Sequence, residues 1–78
     1  MNTEPLQKAI RLAGGQTALA ALIGRGVKQG HVWGWLNRDK KVPAEHCKAI
    51  EYKLDGAVKA EELRPDVFYG GPHANRHG

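Results

Sequence analysis

The sequence predicts an all-α domain, a small bundle of four to five short helices followed by a flexible C-terminal tail. Apolar residues recur at helical spacing in successive stretches. Glycine or proline punctuates the end or start of each stretch. No stretch alternates convincingly enough to demand a sheet. Seventy-eight residues make one domain at most. Residues 1–69 are expected to hold that domain, and residues 70–78 the tail.

In EPLQKAIRLAG, Leu6, Ala9, Ile10 and Ala13 form one apolar stripe. Asn2 or Thr3 can cap this first helix, and Pro5 is tolerated in a first turn, where its missing N–H costs nothing. Gly14-Gly15 ends it. QTALAALIG makes a second, short helix with Leu19, Leu22 and Ile23 inward, stopped by Gly24. KQGHVWGWLN makes a third, with Val32, Trp35 and Leu36 on one face. Gly30 and Gly34 each cost this helix about 1 kcal/mol relative to Ala. It therefore needs packing or a partner to hold it. A polar loop, Asn37 to Val42, leads to Pro43, which opens PAEHCKAIEYKLDG. Cys47, Ile50 and Leu54 form its inner stripe, with Ala44 beside them, and Gly56 stops it. A turn of helix is expected near Ala60 to Leu63, ended by Pro65. An extended segment then returns Val67 and Phe68 to the core, although a dimer contact is the alternative. GGPHANRHG has no large apolar side chain to bury.

Two short helices joined by a glycine-containing turn define a helix-turn-helix. Ala20 must be small where the helices cross, Gly24 can take positive φ, and Val27 and Ile23 fill the gap. Each requirement is met in order.

The charge is uneven. Twelve Lys and Arg stand against eight Asp and Glu, a net charge of +4. Five cations (Arg25, Lys28, Arg38, Lys40, Lys41) face one acid, Asp39, between Arg25 and Lys41. Such a basic middle suits a polyanion such as nucleic acid. The single cysteine, Cys47, excludes an internal disulfide and fits a reducing cytoplasm. No apolar run approaches the roughly 20 residues of a membrane span. The N-terminus lacks the pattern of a secretory signal. Adjacent His46 and Cys47 point different ways on a helix, and no second pair has zinc-ligand spacing. No matched pair of titratable groups marks an active site, so neither an enzyme, a metal nor a cofactor is expected.

GGQTALAALIG followed by VKQGHVWGWLN, VPAEHCKAIE and ELRPDVF resembles the small Cro-like prophage repressors of the YdaS type, from about Leu6 to Phe68. That family consists of all-helical DNA-binding domains related to lambda-type repressors. Its members act as phage transcription regulators, and some are described as antitoxins. One departure is Arg25-Gly26, which lengthens the turn before Val27. The resemblance implies that Gln16 bonds a phosphate and braces the third helix, with Thr17 beside it. It implies that Gln29 reads adenine. A Gln amide can pair bidentately with adenine N6 and N7. Lys28 could reach guanine or a phosphate. His31, Trp33 and Asn37 lie on or beside the outward face, and Gly30 and Gly34 would let the backbone approach the bases. Arg25, Arg38, Lys40 and Lys41 are expected on phosphates. Trp35 belongs to the core. Trp33 either packs on a neighbouring segment or meets a thymine methyl or sugar. The implied partner is double-stranded operator DNA, bound by a homodimer in the bacterial cytoplasm at the nucleoid. A protein partner, as for an antitoxin or adaptor, is the alternative.

Overall fold

A computed structural model describes residues 3–68. The tail expected over 70–78 and the alternative cap Asn2 lie outside the described residues. Among those residues the chain is all-helical: α1 (Glu4–Ala13), α2 (Gln16–Ile23), α3 (Gln29–Gly34), α4 (Ala44–Lys53) and α5 (Ala60–Leu63). A π-helical turn, Trp35–Asp39, continues α3 without a break.

The apolar stripes meet in one core. Leu19, Val32, Val42, Cys47, Ile50 and Val58 are fully buried, with Leu6, Ala9, Ala20, Ile23, Trp35 and Leu63 around them. α2 is central, packing on α1, α3 and α4. Burial of Ala20 meets the requirement for a small residue at the helix crossing. The Trp35 ring lies against the His46 ring of α4, centroids 5.4 Å apart and planes tilted by 31°. This contact ties α3 to α4, beyond the area the ring buries.

The turn between α2 and α3 is short despite Arg25-Gly26. Val27 N–H donates to Gly24 O at 3.0 Å. Arg25 and Gly26 both have positive φ, 57° and 80°, the pattern of a type I′ turn. Gly24 itself sits at φ 69°, ψ −146°, a region essentially closed to other residues. The two extra residues thus close on themselves and leave α2 and α3 in register.

Several local expectations are corrected. Thr3 precedes α1 but its side chain caps no amide; its hydroxyl accepts from Gln7 Nε2 instead. The third helix does not stay α-helical to Asn37, because the chain widens after Gly34 and ends where Lys40 turns left-handed at φ 62°. Asn37 and Arg38 therefore belong to a helical turn and not to a loop. Residues 65–67 form a turn, not an extended segment. Val67 and Phe68 amides both return to Arg64 O. Phe68 packs against the core, whereas Val67 is exposed. Ala44 is only half-buried, at the open start of α4.

Arg64 closes the structure. Its guanidinium donates to both carboxylate oxygens of Asp66, at 2.9 and 2.8 Å, and to Val42 O at 3.0 Å. The hydrogen bonds from Arg64 hold the Asp66 carboxyl below its usual range. Glu51 reaches from α4 to accept the Ala60 amide at 2.8 Å, capping α5.

The two tryptophans differ in burial, 5% exposed at Trp35 and 50% at Trp33. Truncating Trp35 to Ala is expected to cost about 3–5 kcal/mol, most of the margin of a domain this size. Truncating Trp33 is expected to stay near or below about 1 kcal/mol. Urea unfolding of the two variants checks this; similar losses would contradict the packing described.

Candidate nucleic-acid interface

The third helix carries two opposite faces. Val32, Trp35 and Leu36 turn inward. At helical spacing, Gly30, Trp33, Gly34 and Asn37 lie on the other side, flanked by Gln29 and His31. Lys28, Gln29, Gly30, His31, Trp33, Asn37 and Arg38 are all exposed, as are Thr17, Arg25, Lys40 and Lys41 on the flanking segments. Nothing of the fold covers the indole of Trp33 fully, so it does not pack away against α4.

The structure joins two glutamines that stand far apart in sequence. Gln29 Nε2 donates to Gln16 Oε1 at 2.6 Å. One amide hydrogen of Gln29 is used in this bond. Its second amide hydrogen and its Oε1 stay available, the donor–acceptor pair that adenine N7 and N6 require. Gln16 in turn keeps its own NH₂ for an anionic oxygen. The bond thus orients one amide without consuming the edge that could read a base.

The start of α3 is closed by its own histidine. His31 Nδ1 accepts the Lys28 amide at 2.9 Å. With Nδ1 as acceptor, the neutral ring carries its proton on Nε2 and presents a donor there. Spacing alone did not reveal this role, although a polar side chain three residues after a helix start is its usual signal.

At the other end of the helix, Asn37 Nδ2 donates to Trp33 O at 3.1 Å. Its Oδ1 takes no part in that bond. Gly34 departs from expectation. It is buried, because the guanidinium of Arg38 lies across it: a methyl at position 34 would stand 2.8 Å from Nη2 and 3.2 Å from Cζ. At Gly30 the same methyl would meet nothing within 4 Å. Only Gly30 therefore leaves the backbone open.

Arg25 and His31 also border a cleft of about 320 Å³ with Trp35, Glu45 and His46. Lys41 stands close enough to Asp66 to favour its carboxylate. Cys47 is wholly buried, its sulfur near Val42 O and Pro43 O at 3.8 and 3.5 Å. Burial pushes its thiol up to about 11, so it is neither a thiolate nucleophile nor a ready ligand. Among the described residues no group of three His, Cys, Asp or Glu is placed to hold a metal ion. None of the described helices is long and apolar enough to cross a membrane.

The chain is similar to known proteins over most of its length. The family described as bacterial toxin YdaS matches residues 6–72. YdaS of Escherichia coli (strain K12), named as a candidate transcriptional regulator, is 43% identical over 61 residues. That match spans 78% of this chain and 60% of the relative, so the chain accounts for less than two thirds of that protein's length. The Cro protein from a candidate prophage element, Xfaso 1, of Xylella fastidiosa strain Ann-1 has a similar structure. Its TM-score is 0.75 at 46% identity, covering 87% of this chain and 97% of that one.

Removing Gln16 releases the Gln29 amide. In Gln16→Ala, the Gln29 side-chain resonances are expected to move toward free-amide values in ¹⁵N-edited NMR spectra. Stability should fall by at most about 0.5–1.5 kcal/mol. Unchanged Gln29 resonances would rule out the bond in solution.

Proposed function

Since the chain belongs to the YdaS family, we propose that it is a sequence-specific, Cro-like transcription regulator that inserts the Lys28–Asn37 helix into the major groove. The Gln16–Gln29 bond carries this reading. It presents a fixed amide edge on the exposed face of a helix, and a fixed amide edge is what adenine recognition needs. Gln16 and the helix start bond a phosphate. His31 offers a donor to a base acceptor or a phosphate, and Trp33 meets a thymine methyl or sugar. Arg25, Lys28, Lys40 and Lys41 neutralise flanking phosphates, and the Thr17 hydroxyl donates to one. Asn37 contacts DNA through its Oδ1, and Gly30 gives the backbone clearance.

One helix of this length reads only a few base pairs. The protein therefore binds as a homodimer in the cytoplasm, on half-sites roughly 34 Å apart. It acts by occluding a promoter, without catalysis. The names of its relatives, a transcriptional regulator and a Cro protein, support this direction.

The half-exposed Trp33 favours a second reading, in which a protein partner docks on α3, as for an antitoxin or adaptor. Both uses can share one face, in sequence or in competition.

Selection of bound duplexes from a random pool tests the first reading. It is expected to enrich a two-fold-symmetric site. Affinity for that site should fall linearly with salt on logarithmic axes. Gln29→Ala should weaken binding and relax one position. Failure to enrich any sequence, or a flat salt response, would remove DNA recognition and leave the protein-partner reading.

A further inference from the structure

We propose that Arg38 is a base-reading residue, aimed at guanine, and that Gly34 is the seat that positions it. The inference rests on DNA binding through α3 and assigns a further specificity determinant to that site.

The geometry begins with the π-helical turn Trp35–Asp39. A π turn closes over five residues instead of four, so each residue advances by a smaller angle. Arg38 stands four residues after Gly34, one turn on and on the same face. Long side chains on a helix lean toward its N-terminus. The guanidinium accordingly folds back and lies on the bare backbone at Gly34, where any side chain would collide with it.

Three observations separate this arginine from a phosphate clamp. First, its head stands level with residue 34, in the middle of the outward face among Gly30, Trp33 and Asn37. Lys40 and Lys41 follow the left-handed end of the helix and stand at its margin. The floor of the groove faces the middle of a docked helix, whereas the phosphates flank it. Second, the guanidinium is contacted at two places. Asp39 Oδ1 accepts from Arg38 Nε at 3.2 Å, and Gly34 supports the other edge. A phosphate needs only charge nearby, but guanine O6 and N7 need two donors in a set plane. Third, the side chain is 71% exposed although it covers Gly34, with Nη2 nearest the glycine and Nη1 farther from it. With Nε bonded to Asp39, the Nη1 and Nη2 hydrogens are the donors left for a base.

The helix also sets the spacing. Position 34 lies five residues beyond Gln29, about 7.5 Å along the axis at roughly 1.5 Å per residue. That is about two base-pair rises of roughly 3.4 Å. The guanine read by Arg38 therefore lies about two base pairs from the pair read by Gln29.

The test uses the full chain and the duplex that wild type selects from a random pool, with every base pair varied in turn. Arg38→Lys keeps the charge and removes the fork. It is expected to lose preference at one G·C pair and to bind the selected duplex roughly 5- to 100-fold more weakly. Its salt slope should stay unchanged, because no charge is lost. Gly34→Ala should lose preference at the same pair, because the methyl displaces the guanidinium. Its helical circular dichroism should be retained, since Ala favours a helix over Gly by about 1 kcal/mol. If Gly34→Ala does not fold, Arg38→Lys decides alone. Gln29→Ala should lose preference at a different pair, about two steps away. If Arg38→Lys keeps wild-type preference at every pair while Gln29→Ala does not, Arg38 reads no base and the inference is overturned. If wild type selects no sequence at all, DNA recognition by α3 falls, and this assignment with it.

Discussion

The crossing of α2 over α3 is the constraint on which the rest depends. α3 is six residues long and carries a glycine at two of them. Isolated helices of that length do not persist in water. It exists because Val32 and Trp35 are buried beneath it and Ala20 lets α2 come close. The same approach brings Gln16 within 2.6 Å of Gln29. Packing on the inner side thus produces the polar arrangement on the outer side. Any larger residue at position 20 would move both together.

Once that crossing is set, the ends of α3 are shaped by local polar bonds. His31 closes the start by accepting the Lys28 amide. Asn37 holds the far end by donating to the Trp33 carbonyl. The π turn Trp35–Asp39 holds both Arg38, which lies over Gly34, and Trp35, which stays in the core. Farther away, Arg64 binds Asp66 and Val42 O together and holds the residues before α4 against those after α5. His46 then stands where Trp35 can lie against it. The charged rim and the aromatic core are thus two sides of one short segment.

Much of this arrangement could be read from residue order. The stripes of α1, α2 and α4 follow from spacing, as does the separation of Trp33 from Trp35 across two residues. Glycine marked the turn, and Gly24 does occupy a backbone region that only glycine tolerates. The family resemblance implies that Gln16 braces the third helix, but the bond to Gln29 is seen only in the structure, because nothing local links residues 13 apart. The π turn was not legible. It is a one-residue change in helical closure, within a pattern that reads as ordinary α-helix. The burial of Gly34 depends on the long Arg38 side chain folding back over it, which residue order does not fix. The Arg64 contact with Val42 O spans 22 residues. LRPD stood out as a motif, but its partner could not be inferred from it. Val67 stays exposed because the chain turns after Pro65, where its apolar side chain alone would suggest a return to the core.

In the proposed function, one face of α3, built by the α2 crossing, meets DNA. Titration of ¹⁵N-labelled protein with its selected duplex addresses this directly. The largest shifts are expected at the Gln29 and Gln16 side-chain amides, the Trp33 indole N–H, and backbone amides from Lys28 to Arg38. The Trp35 indole N–H should move less, as a buried reporter. Shifts confined to Lys48, Glu51 and Tyr52 on α4 and Asp55 in the turn after it, with α3 unmoved, would contradict DNA binding through α3.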